Sequence, residues 1–191
     1  MTAQSWYPNL DTSSDPTGTV KAACDAAAAI VAEMGARSIP RWLTITGKQG
    51  NGKTTLARAI FEQAQQLNPG NASLWYSPPR RPRCVWYNET DFAAEVQQWP
   101  RLPEYLRDDY LVVIDDLGTA RERWDQVADA LYRLANARLG RWTVWTSNMT
   151  HAEIDAKLDA RLASRLIRDG SKGVRITAPD YALRNRKPAT Q

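Results

Sequence analysis

Apolar residues along the chain fall into two alternating patterns, helical stripes and short unbroken runs. Over residues 15–34, Val20, Ala23, Ala27, Ile30, Val31 and Met34 recur at helical spacing, with Gly35 as the candidate C-cap. The run WLTIT (42–46) predicts a strand. Residues 54–67 carry Leu56, Ala59, Ile60, Ala64 and Leu67 on one helical face and stop at Asn68-Pro69-Gly70. CVWY (84–87) predicts a second strand, and Asn88 stands ready to cap a short helix over 91–98. LVVID (111–115) is an apolar run ending in acid, as expected of a strand covered on both faces. Thr119 and Glu122 form a candidate capping box before a helix reaching about Ala137. WTVWT (142–146) is the fourth strand. Thr150 and Glu153 then open a helix to about Arg168, and 174–177 is the last strand.

Strands alternating with helices predict an α/β fold with helices on both faces of a mostly parallel, five-stranded sheet. Residues 15–178 form one domain in this reading, with a tail over 1–14 and a basic tail over 179–191. The 191 residues supply one full core. No apolar run approaches the ~20 residues that span a bilayer, and the N-terminus lacks a secretory pattern. Cys24 and Cys84 form no motif, so a cytoplasmic, reducing setting is expected. The formal net charge of +4 permits contact with nucleic acid without demanding it. Arg80, Arg81 and Arg83 cluster among prolines, and Arg184, Arg186 and Lys187 cluster near the end. These are either solvated surface or, for the first cluster, a contact to nucleic-acid phosphate.

The chemistry concentrates between the first strand and the second helix, where residues 47–54 read GKQGNGKT. Gly47, Gly50 and Gly52 let the backbone wrap closely around a polyphosphate, with Lys48, Gln49 and Asn51 between them. The helix start adds its positive dipole end. Lys53 reaches the β- and γ-phosphates, Thr54 ligates Mg²⁺, and Thr55 completes the loop. The implied ligands are ATP and Mg²⁺.

Two carboxylates, Asp115 and Asp116, end an otherwise apolar strand, and buried acids are costly unless something compensates them. Asp115 is assigned to Mg²⁺ and Asp116 to orienting the attacking water. Asn148, just after the fourth strand, is placed to position that water; the alternative is a simple turn residue. Beside the stripe Ile154, Leu158, Leu162 and Leu166 stand Arg161, Arg165 and Arg168. They are either a solvated basic face or the source of an arginine finger that completes a neighbouring subunit's site. His151, the only histidine, reads as surface.

The segments GKQGNGKTT, LVVIDDLG, LYRLANARLGRWTVWTSNMT and HAEIDAKLDARLASRL together resemble AAA+ helicase loaders of the DnaC type and their transposition relatives of the IstB type. The resemblance runs over roughly 15–183. It implies a P-loop NTPase (AAA+) three-layer α/β/α fold lacking a C-terminal lid, with the phosphate loop over 47–55, the acidic pair at Asp115 and Asp116, and a polar sensor at Asn148. It places the arginine finger at Arg165, with Arg161 second. It also implies an ATP-controlled homo-oligomer that hydrolyses ATP and loads a replicative helicase on single-stranded DNA. Two other functions stay open: a transposition ATPase on duplex DNA, and an ATP-switched adaptor with negligible hydrolysis.

Overall fold

The computed structural model describes residues 6–13, 15–68, 83–119, 124–168 and 170–181, the side chains of 124–126 excepted. In chain order the elements are α1 (Thr19–Gly35), β1 (Trp42–Gly47), α2 (Lys53–Leu67), β2 (Cys84–Asn88), α3 (Glu89–Gln98), α4 (Leu102–Tyr105), a 3₁₀ turn (Leu106–Asp108), β3 (Leu111–Leu117), α5 (Trp124–Ala137), β4 (Trp142–Ser147), α6 (His151–Lys157), α7 (Ala160–Leu166) and β5 (Lys172–Ile176). The strands form one sheet in the order β2-β3-β4-β1-β5. Every pairing is parallel.

The sheet is covered on both faces, which explains why its central strands are continuous apolar runs. One core joins α1 and α2 to one face through Val20, Ala27, Ile30, Leu56 and Ile60, packed on Leu43, Ile45, Val113 and Val144. The other joins α3, α5, α6 and α7 to the opposite face through Phe92, Leu131, Leu134, Ile154, Leu162 and Leu166, packed on Val112, Ile114 and Trp145. The edge strands β2 and β5 are only partly covered. The three-layer α/β/α architecture and all five strands stand as the sequence predicts.

Several details differ. The first helix starts at Thr19, with Asp15 reaching forward so that its carboxylate accepts from the Val20 amide at 2.6 Å. Gly35 is the last helical residue, and the left-handed residue that ends the helix is Arg37, at φ 54°. The capping box expected from Thr119 and Glu122 lies partly outside the described residues: Glu122 is not described, the Thr119 hydroxyl donates to the Asp116 carbonyl at 3.0 Å, and the described helix begins at Trp124. The helix expected from Thr150 to about Arg168 is two helices. Its capping box is present as expected. The turn breaks at Leu158, and Asp159 caps α7 by accepting from the amides of Arg161 (2.6 Å) and Leu162 (3.1 Å). His151 is not a free surface residue, because its Nε2 pairs with the Ala163 carbonyl at 2.6 Å and ties α6 to α7.

A buried arginine closes the end of the sheet away from the strand C-termini. Arg138, just past α5, is fully buried. Its guanidinium donates to the carbonyls of Leu106, Arg107, Asp109 and Trp142 and to the Thr143 hydroxyl. Burial pulls its pKa down, and the Asp109 charge is the largest opposing effect. Five oxygens from two segments, 106–109 and 142–143, lose a donor if this group is removed. Arg138→Met is therefore expected to destabilise the fold by roughly 3 kcal/mol or more. Thermal unfolding should report a melting temperature about 6–12 °C lower; an unchanged melting temperature would contradict this role.

Candidate functional site

Parallel strands put all their C-terminal ends on one edge, and the loops that leave that edge build the site. β4 lies between β1 and β3. The glycine loop after β1 and the acidic end of β3 therefore flank the end of β4.

The loop is shaped from within. Gly47 has φ 151°, and a Cβ there would lie 2.4 Å from both Asn51 Nδ2 and the Ile176 carbonyl oxygen, so no other residue fits. Asn51 is buried, and its Nδ2 donates to that Ile176 carbonyl at 2.9 Å. Its Oδ1 accepts from Lys53 Nζ at 3.2 Å, and the Lys48 carbonyl accepts from the same ammonium at 2.7 Å. Lys53 is only 4% exposed, and the hydrogen-bond acceptors holding it are neutral oxygens. Burial pulls its pKa below the usual lysine value, and the charges of Asp116 and Asp115 push it back up.

The acidic end of β3 is organised by β4. Thr146, fully buried, donates its hydroxyl to Asp115 Oδ1 at 2.5 Å and accepts from the Asp116 amide at 2.9 Å. The β3–β4 register slips between Ile114 and Leu117, and Asp116 takes φ 58° at that bulge. The bulge turns the two neighbouring carboxylates to different tasks. Asp115 faces the loop and accepts from Thr54 Oγ1 at 3.2 Å. Asp116 turns toward Asn148, whose Nδ2 donates to its Oδ1 at 3.4 Å. Burial first, then the Asp115 charge, raise the Asp116 pKa above the ordinary carboxylate value; Lys53 and Asn148 oppose the shift.

A cleft of about 1000 Å³ runs over these groups. Gln49 through Thr55 form its floor, and Asp116, Gly118, Thr119 and Asn148 form one end. Asn9, Leu10, Asp11, Val20, Asp180 and Tyr181 supply the remaining walls. Its size suits a nucleotide. The donor set fits the expected ions too: a buried ammonium beside a helix N-terminus suits a polyphosphate, and a hydroxyl paired with a carboxylate suits Mg²⁺.

The structure thus brings together Gly47–Thr55, Asp115, Asp116 and Asn148, as the sequence expects. Arg161 and Arg165 lie elsewhere, on α7, and are not among the residues lining this cleft. Arg161 is ion-paired with Asp159 at 2.8 Å and stacks over the Tyr132 ring on α5, 4.3 Å from its centroid. Arg165 also reaches Tyr132, and together with Asn136, the largest influence, and Arg161 it lowers the pKa of that phenol. Of the proline-flanked arginines, Arg80 and Arg81 lie outside the described residues. Arg83 meets the nearly buried Asp109 carboxylate through its amide (3.2 Å) and its Nε (3.4 Å).

Sequence reasoning missed five contributors. Thr146 is one. Glu89, at the first turn of α3, is buried and accepts from the amides of Gly118 (3.0 Å) and Thr119 (2.7 Å), fixing the loop at the cleft's end. Its acidic position in the first helical turn was the available signal. Leu10 approaches Gly52 from the N-terminal segment, and Asp180 and Tyr181 arrive from beyond β5.

No protein-family profile matches the chain, and no curated protein sequence does. Solved structures do match it. The DnaC helicase loader is 17% identical, with a TM-score of 0.60 over 91% of this chain and 95% of that one. DnaI is 21% identical, with a TM-score of 0.61 over 90% and 87%. AMPPCP-bound DnaA from Aquifex aeolicus is 18% identical, with a TM-score of 0.62 over 83% and 46%. The chain shares the parallel-sheet α/β/α fold of these structures. The chain spans less than half the length of the DnaA chains it matches first, and nearly the whole length of the DnaC and DnaI structures. Within this sheet, the hydroxyl of Thr146 is the joint between the two carboxylates. Thr146→Val keeps the shape but strands the Asp116 amide, and should lower stability by about 1–2 kcal/mol. A calorimetric scan indistinguishable from the wild type would remove Thr146 from this role.

Proposed function

We propose that the chain is an ATP-binding, ATP-hydrolysing protein of the DnaC-like helicase-loader type, which loads or remodels a replicative helicase on single-stranded DNA. Residues 15–178 form the ATPase domain in this reading. The observation that carries it is Lys53, a buried ammonium held by neutral oxygens at the head of α2 and beside two carboxylates. A polyphosphate supplies the counter-charge that such a group needs.

The loop amides from Gly47 to Thr55, including those of Lys48, Gln49, Gly50, Asn51 and Gly52, cradle the phosphates in this reading. Thr54 and Asp115 hold Mg²⁺, which when bound neutralises charge on the phosphate oxygens. Asp116 and Asn148 orient the attacking water. Arg165 acts in trans on the site of an adjacent copy, which supports the expectation of a homo-oligomer, because it lies away from its own cleft and Arg161 is committed to Asp159. The helicase and DNA partners draw their support from the near full-length likeness to the DnaC loader and to DnaI, and from a DnaA neighbour solved with single-stranded DNA. The aspartate at position 116, held by Asn148, is the observation behind a second reading, an ATP-switched adaptor that hydrolyses slowly.

Filter binding of labelled ATP, paired with phosphate release on single-stranded DNA, tests the assignment. Arg165→Ala should bind ATP within about threefold of the wild type while hydrolysis falls by at least ~10³-fold. Loss of both together would count against a finger in trans, and Lys53→Ala binding ATP as well as the wild type would sink the whole reading. Hydrolysis should also respond to acid. Water orientation requires the Asp116 carboxylate, and a raised pKa keeps it protonated to a higher pH. The rate should therefore fall, as pH is lowered, with a midpoint above the ~3.9 of an unperturbed aspartate. A midpoint at or below that value would reject Asp116 as the titrating group.

A further inference from the structure

The segment that follows β5 turns back onto the phosphate loop. It is anchored where it starts: the Ile176 carbonyl accepts from Asn51, the Thr177 amide donates to Thr19 Oγ1 at 3.0 Å, and Ala178 is buried. Three residues later the Tyr181 amide donates to the Gly50 carbonyl at 2.9 Å. Gly50 has φ 73°, and a Cβ built on it would stand 2.1 Å from Asp180 Oδ2, 2.2 Å from its Cγ and 2.6 Å from its Oδ1. The Asp180 carboxylate therefore rests against the bare α-carbon of the loop, and both Asp180 and Tyr181 line the cleft.

This is an unusual neighbour for a loop that attracts anions. The amides around Gly50 and the Lys53 ammonium draw negative charge inward, and Asp180 already supplies one. A polyphosphate entering the same loop brings several more, and like charges a few ångströms apart in a partly buried site repel strongly. Resting on the nucleotide reading above, we propose that Asp180 is a built-in competitor for the phosphate loop: the segment holds its carboxylate against Gly50, and an incoming polyphosphate displaces it. The Asp180 carboxylate then sets nucleotide affinity by opposing phosphate charge, and the Tyr181–Gly50 hydrogen bond reports which occupant holds the loop.

The test compares wild type, Asp180→Asn and Lys53→Ala by calorimetric titration with ATP, ADP and AMP. Asp180→Asn keeps the shape and removes the charge. It should tighten ATP by about tenfold or more. The gain should be largest for ATP, smaller for ADP and smallest for AMP, and should shrink as salt rises from 0.05 to 0.5 M, values chosen to straddle a Debye length of ~10 Å. In the wild type, ATP should speed hydrogen exchange at the Tyr181 amide. If the wild type binds ATP through Lys53 but Asp180→Asn binds no tighter, or gains equally for all three nucleotides, the competitor is rejected and the nucleotide reading survives. Tyr181 exchange unchanged by bound ATP rejects the displacement. A wild type that binds no nucleotide, or a Lys53→Ala protein that binds as tightly, overturns both.

Discussion

A lysine ammonium has been taken almost wholly out of water at the head of α2, and its surroundings are arranged around that cost. Two neutral oxygens accept its hydrogen bonds, Asn51 is pinned by the Ile176 carbonyl so that one of them stays in place, and the charges of the β3 acids oppose the effect of burial. Gly47 must be bare because Asn51 and the β5 carbonyl occupy the space a side chain would need. Loop, helix, β3 and β5 thus converge on one cation.

The sheet order converts this local chemistry into a site. Because β4 separates the loop-bearing strand from the acid-bearing strand, one threonine hydroxyl can donate to Asp115 and accept from the Asp116 amide. The bulge that this permits gives the two adjacent aspartates different directions, one toward Thr54 and one toward Asn148. A regular strand would also have pointed successive side chains to opposite faces. The bulge adds the positive φ that brings Asp116 beside the β4 exit.

Much of this was legible in the residues. The glycine-rich loop is local in sequence, so GKQGNGKT, the strand before it and the helix after it could be read directly, as could the acid-terminated run of β3 and the capping box at Thr150. What stayed hidden depends on distant segments meeting. Thr146 looks like any strand threonine until β4 is known to lie beside β3. Asp180 and Tyr181 read as tail because nothing in the chain says where the end of β5 delivers them. The break at Asp159 was masked by coincidence: Ile154, Leu158, Leu162 and Leu166 keep a spacing of four straight through it, although an aspartate able to cap was the available clue.

Arg138 has a mechanical consequence for the site it never touches. Its guanidinium seizes the Asp109 carbonyl just before β3 and the Trp142 carbonyl at the first residue of β4. Those strands are therefore riveted at their entrances, while Asp116 and Asn148 sit at their exits. Local opening of the exits, the kind of breathing that lets a loop regrip its contents, need not propagate down the ladder. One end of the sheet works as the vice and the other as the jaw.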